Sequence, residues 1–229
     1  MWRLRLMRAG SADGQREAAD RRGARRHVGV PPPATIAAFD FDGTLTTRDS
    51  LLRFIAWRRP RAEVVLDLVK TLPLLALYGA RLVGNETHKM ALFARAFRDM
   101  PADAFERWAR DFARSELPRM IRGEALERVR FHQERGDRVV IVSASPTNWI
   151  VPWAVREGIT EIIGNPAEVS DGRVTGRLAG ANCYGPEKLR RLLALNPQRE
   201  SYTLFAYGDG RGDRELLAAA DHAYYRCFE

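Results

Sequence analysis

From Thr35 onward the chain alternates between short apolar runs and longer helical stripes. Thr35-Ile36-Ala37-Ala38-Phe39 is a continuous apolar run leading into Asp40, the pattern of a strand buried on both faces of a parallel sheet. Residues 49 to about 135 then read almost wholly as helix, without the Gly, Asn and Asp clusters that mark hairpins. Asp49 or Ser50 caps a helix through Trp57, and a long apolar helix over 62–83 carries Pro73 as a kink. Asn85 starts a third helix, and Pro101 stands where a first-turn proline opens a fourth. A fifth covers about 121–135 and stops at Gly136.

Strand character returns at 137–142 and ends in Ser143-Ala144-Ser145-Pro146, followed by a helix to about Glu157 bent at Pro152. Residues 161–163 read as a short strand, and 167–170 with 173–176 as a hairpin turning on Asp171-Gly172. Pro186 opens a helix to Leu195, and a strand over 202–207 enters Gly208-Asp209-Gly210. A short helix over 213–220 and a last strand near 223–225 complete the pattern. Strands alternating with helices predict an α/β fold: a doubly wound parallel sheet, a helical block inserted after the first strand, and a small β-hairpin.

Charge changes this picture only locally. The 229 residues hold 37 Lys+Arg against 29 Asp+Glu, a net charge of +8 that invites a nucleic-acid or membrane partner. Residues 1–34 hold eight Arg and three acids, end in Pro31-Pro32-Pro33, and lack the apolar core of a secretory signal. They read as a basic, disordered cytosolic tail, with a nucleic-acid or lipid tether as the sharper alternative. Arg outnumbers Lys 34 to 3 along the whole chain. That bias looks like genome composition rather than a nucleic-acid surface, so no nucleic-acid partner is expected. The longest uncharged stretch of the apolar region, 71–80, is far short of the roughly 20 residues that cross a bilayer. Two cysteines, Cys183 and Cys227, read as buried or inert thiols in a reducing cytosol. His27, His88, His132 and His222 have neither ligand spacing nor a nucleophile partner. Trp149 and Trp153, four apart on one helix, read as packing.

Three polar clusters lie just past strand ends: Asp40-Phe41-Asp42-Gly43-Thr44, Ser143-Ala144, and Asp209 with Asp213. In an open parallel sheet those ends converge on one crevice. Four carboxylates gathered there repel one another unless a cation holds them, and Mg²⁺ suits hard oxygen ligands. Lys188 lies on a helix that could reach the same edge. Blander readings stand beside these: Ser143 as a turn or cap residue, Lys188 as an exposed first-turn lysine, Asp213 as the N-cap of the helix that follows it.

In order and spacing, these residues resemble the haloacid dehalogenase-like superfamily, in the subgroup that contains phosphoserine phosphatase; the likeness covers residues 35–229. The resemblance implies a catalytic core over 35–45 and 131–229 and a helical cap over 46–130. It implies Asp40 as the nucleophile that forms an aspartyl-phosphate, and Asp42 as the acid/base. Gly43, Thr44, Ser143, Ala144 and Lys188 would bind or brace the phosphoryl group. Mg²⁺ would be held by Asp40, the Asp42 carbonyl and Asp209, with Asp213 as a further or water-mediated ligand. Dehalogenases of the superfamily lack the second Asp of Asp-x-Asp, which favours phosphate over carbon–halogen chemistry.

Substrate choice would belong to the cap, whose 17 basic and 11 acidic residues give it a net +6, against −3 for the core. Phosphoserine is the first expectation, with Asp49 standing near where such enzymes place a carboxylate for the amino group. Asp49 also suits a plain helix N-cap. Two departures weaken phosphoserine: Ala144-Ser145-Pro146 replaces a Gly-Gly pair, and Gly212 stands where Asn is usual. The Ser-Ala-Ser-Pro segment and the Leu-rich helix around Leu72-Pro73-Leu74-Leu75 look more like relatives acting on phosphatidylglycerophosphate. The expected partner is therefore a small-molecule or lipid-headgroup phosphomonoester. The protein would be cytoplasmic, or peripheral at the inner membrane face through helix 62–83. A phosphotransferase and a non-catalytic binding module are the alternatives in other classes.

Overall fold

The computed structural model describes residues 35–79 and 85–229. The expectations for the basic tail and for the end of the long helix at residue 83 fall outside them. Five parallel strands form the central sheet: β1 (Thr35–Phe39), β2 (Arg138–Pro146), β3 (Glu161–Asn165), β6 (Thr203–Gly208) and β7 (His222–Tyr225). Their order is β3-β2-β1-β6-β7. The chain leaves β1 towards β2 on one side and returns to β6 on the other, so the crevice of the sheet opens at the carboxyl end of β1. A separate antiparallel pair, β4 (Ala167–Ser170) and β5 (Arg173–Leu178), turns on Asp171 and Gly172, both at positive φ. The α/β class and the hairpin are as the sequence pattern predicts.

Alternation along the strands splits the core in two. Ile36, Ala38, Val140, Val142, Leu204 and Ala206 point to one face, where they meet Leu192 of α7 (Pro186–Leu195) and Leu216 of α8 (Arg214–Ala218). Ala37, Phe39, Val139, Ile141 and Tyr207 point to the other. There they meet α5 (Gly123–Glu134) and α6 (Thr147–Arg156). The inserted helices join this second core. They are α1 (Ser50–Arg58), α2 (Arg61–Gly79), α3 (Asn85–Phe97) and α4 (Ala102–Ser115). Phe54, Phe93, Phe97, Phe105 and Phe112 form a continuous aromatic cluster, and Phe54 lies 4.5 Å from the ring of Trp149. Trp149 also donates to Ser50 Oγ at 3.0 Å, so α1 is tied to α6 by a buried polar bond as well as by packing.

Several local expectations shift. Pro101 is the N-cap of α4 rather than a residue of its first turn, because α4 begins at Ala102. β2 runs through Ser143-Ala144-Ser145 to Pro146, which pairs with Asn165 across an irregularity in register. Helix α5 spans residue 130 and packs against β2. Trp149 and Trp153 are fully buried packing residues. Cys183 is buried, whereas Cys227 is exposed.

Candidate active site

Register places the acids. Phe39 pairs with Tyr207 on one side and Ile141 on the other, so Asp40, Asp209 and Ser143 all follow within two residues of one level of the sheet. The Asp40 N–H continues the ladder, donating to the Tyr207 carbonyl at 2.9 Å. The chain then leaves β1 in one wide turn over 41–45, closed by Thr46 N–H to the Phe41 carbonyl at 3.0 Å. Gly43 stands in that turn at φ +84°, and a Cβ there would collide with the Asp209 carboxylate. Thr44 Oγ1 donates to Asp209 Oδ1 at 3.3 Å.

The carboxylates of Asp40, Asp209 and Asp213 each offer an oxygen within 4.8 Å of the others. Lys188, at 2 % exposure, reaches them from the first turn of α7. Its Nζ donates to Asp40 Oδ1 at 2.5 Å and to Asp213 Oδ1 at 2.6 Å. The exposed-lysine reading of Lys188 is thereby excluded. Burial opposes its charge, but Asp40 and Asp213 outweigh burial and hold the ammonium above its usual range. Burial pushes the Asp40 carboxyl up to about 8, with Lys188 pulling the other way. Asp209 is raised by burial and by the charge of Asp213. If all three carboxylates were ionised, the one ammonium would leave two negative charges in excess, and burial together with that excess is what raises Asp40 and Asp209. Protons or a divalent cation can balance that excess, and the all-oxygen donor set suits a hard cation.

Asp213 corrects one expectation. Its side chain makes no cap to the helix that follows; it folds back, Oδ2 accepting from Asp209 N–H at 3.2 Å and Gly210 N–H at 3.0 Å. A Cβ at residue 208 would sit 2.5 Å from that of Asp213, so glycine there lets the loop close. One carboxylate thus braces the Gly208-Asp209-Gly210 loop and anchors Lys188.

Asp42 is not one of the three clustered acids, but its backbone is extended (φ −77°, ψ 125°) and its charge acts on Asp40. Its Oδ1 accepts from Ser50 N–H at 2.7 Å and its Oδ2 from the Ser145 hydroxyl. Burial and the Asp49 charge push its carboxyl up to about 6, against the pull of the Ser145 bond. Ser143 is buried, and its Oγ accepts from Ser145 N–H at 3.0 Å, which orders the segment that includes Ala144. In the sequence Ser50 reads as a helix cap and Ser145 as part of Ser-Ala-Ser-Pro; their bonds to Asp42 are not signalled there, since short hydroxyl residues at strand and helix ends are common.

Asp49 caps α1, accepting from Leu52 N–H at 2.9 Å, and its other oxygen holds the Lys89 ammonium. Lys89, on α3, also feels the charges of Asp42 and Asp40. Burial disfavours that ammonium, but the acids hold it above its usual range. Nothing in the pattern around Lys89 distinguishes it from a solvated helix lysine.

The family model for haloacid dehalogenase-like hydrolases matches residues 37–218. Protein CicA of Caulobacter vibrioides is 37% identical over 199 residues, covering 84% of this chain and 86% of that protein. A probable phosphatase of Mycobacterium tuberculosis is 34% identical over 107 residues, 45% of this chain and 37% of that protein. Among solved structures, a substrate-bound phosphoserine phosphatase superposes with TM-score 0.56 at 22% identity, over 82% of this chain and 84% of the other. With the acids gathered at the switch point of such a sheet, the chain belongs to the haloacid dehalogenase-like hydrolase family and has a phosphoserine phosphatase-like fold.

Proposed function

We propose that this chain is a Mg²⁺-dependent phosphomonoester hydrolase working through an aspartyl-phosphate on Asp40. The observation that carries this reading is the division of the acids. Asp40 and Asp213 share the buried Lys188 ammonium and Asp209 lies within 4.8 Å of both, while Asp42 is held by Ser50 and Ser145. The trio, with the Asp42 carbonyl, would hold Mg²⁺, which when bound supplies positive charge to the phosphoryl oxygens.

In the first step an Asp40 oxygen bonds to phosphorus, the ester P–O bond breaks, and the Asp42 carboxyl gives its proton to the departing oxygen. A carboxyl raised towards neutrality suits that donation. In the second step Asp42 takes a proton from water as the water oxygen bonds to phosphorus. The acyl-phosphate P–O bond then breaks, returning Asp40 and releasing phosphate. Lys188 keeps positive charge beside the reacting oxygens, and Ser143 with the Ala144 N–H would bind the phosphoryl group. Gly43 and Thr44 hold the loop that fixes Asp40 against Asp209.

The cap sharpens the substrate class. Both Asp49 oxygens are engaged, one by the α1 backbone and one by Lys89. An ammonium on the substrate would have to displace Lys89, whereas a second anionic group would meet it. The site therefore favours a phosphomonoester bearing further negative charge over phosphoserine's amino group. A lipid headgroup meets that description as well as a small metabolite does.

The test is hydrolysis of an aryl phosphate by purified protein with and without Mg²⁺. Asp40→Asn should lower turnover at least ~10³-fold, and chelation should abolish it reversibly. Full turnover by Asp40→Asn would overturn the mechanism; phosphorylated acceptor in place of free phosphate would make the protein a transferase. Lys89→Ala should raise KM about tenfold, roughly 1.4 kcal/mol, for substrates bearing a second anionic group besides the phosphate and leave the aryl phosphate nearly unchanged.

A further inference from the structure

Over its described side chains, helix α2 is built inside out. The residues turned inward among them are Val64, Asp67 and Thr71, spaced as one helical face. Asp67, at 7 % exposure, is clasped by Arg59 at 2.6 Å and by Arg95 of α3 at 3.1 Å. The Thr71 hydroxyl turns back on the helix carbonyls of Asp67 and Leu68. Outward stand Val65, Leu66, Leu68 and Val69, between 44 % and 56 % exposed. A water-facing helix of a globular domain has the opposite arrangement. Among the described side chains of α2, two of the three that face the protein are polar, and Val65, Leu66, Leu68 and Val69 are left exposed.

The charges around that face select its occupant. Of the four charged residues on α2, Asp67 is turned inward and Glu63 is paired with Arg59 at 3.3 Å, which leaves Arg61 and Lys70 exposed beside the apolar side chains. A second copy of the chain would set one basic cap block, net +6 over 46–130, against another. An anionic bilayer surface complements both the apolar face and its basic rim. No described helix is long and apolar enough to cross a membrane, so α2 would lie in the interface plane. We infer that the exposed Val65-Leu66-Leu68-Val69 face of α2 docks the protein on the surface of anionic phospholipid. This surface stands independently of the reaction assigned to the acid cluster.

The test is co-sedimentation of the full chain with vesicles of phosphatidylglycerol and phosphatidylcholine, compared with phosphatidylcholine alone. The wild type should partition to the anionic vesicles. Leu66→Asp with Val69→Asp should weaken binding at least tenfold with an unchanged thermal midpoint, because both positions are exposed. The basic segment 1–34 is present in both proteins, so the difference reports on α2. Should the aspartates lower the thermal midpoint, Val65→Gln with Val69→Gln should still weaken binding at least threefold. Unchanged binding by a folded variant overturns the inference. So does a wild-type dimer, seen by light scattering, that the aspartates dissociate while vesicles never bind.

Discussion

Helices α4 and α2 come from the same inserted block and use their faces in opposite ways. α4 buries Phe105, Ala109, Phe112 and Ala113 and exposes Asp103, Arg107, Arg110 and Arg114. Its stripe is consumed in the core, where Phe112 lies 5.2 Å from Phe54 and 6.1 Å from Trp149. α2 buries an acid and a hydroxyl and exposes Val65, Leu66, Leu68 and Val69. The difference separates two kinds of hydrophobic pattern: one that the fold itself satisfies, and one that is intact after folding. Only the second can serve a partner.

The comparison is most strongly tested where the two helices are held. Phe112→Ala should destabilise the protein by about 3–5 kcal/mol in denaturant titration, as expected for truncating a fully buried aromatic. A cost near zero would mean that α4 is no more part of the core than α2. Asp67→Asn should cost less, about 1–3 kcal/mol, by leaving Arg59 and Arg95 without their shared carboxylate. Burial alone would raise the Asp67 carboxyl, but the two arginines outweigh it and hold it below its ordinary 3.8. Its contribution is therefore complete above that value and is lost as pH falls through the lower, folded one. The gap between wild type and Asp67→Asn should accordingly be constant near neutrality and close in acid. A gap that widened in acid would reverse the assigned role.

Much of the catalytic frame was legible because it depends on local pattern. Continuous apolar runs ending in Asp40 and in Gly208-Asp209 mark parallel strands, and Asp171-Gly172 marks the hairpin. The helix opened by Pro186 runs to Leu195 as read, which is what brings Lys188 to the acids. What escaped depends on partners distant in sequence. Asp67 faces inward because Arg95, 28 residues on, meets it there. Ser145 holds Asp42 from 103 residues away. Lys89 acquires a role only because α3 carries it to Asp49. Hydrophobic periodicity finds a helix and its stripe. It does not say whether polar clasps from other elements will turn that stripe outward.

The smallest expected effect is the sharpest. Val65→Gln with Val69→Gln removes two large apolar side chains from α2, as many as a double truncation in α4 would remove from the core. Gln is a better helix former than Val by a few tenths of a kcal/mol, and neither valine is buried. Stability in the absence of lipid should therefore stay within about 0.5 kcal/mol of the wild type or rise slightly. A loss above about 2 kcal/mol would show that these side chains are covered within the free protein. The contrast with α4 would then fail, and with it the case for a lipid-facing helix. A null effect in water, paired with weakened vesicle binding, would place the apolar surface of α2 outside the folding free energy and inside the association free energy.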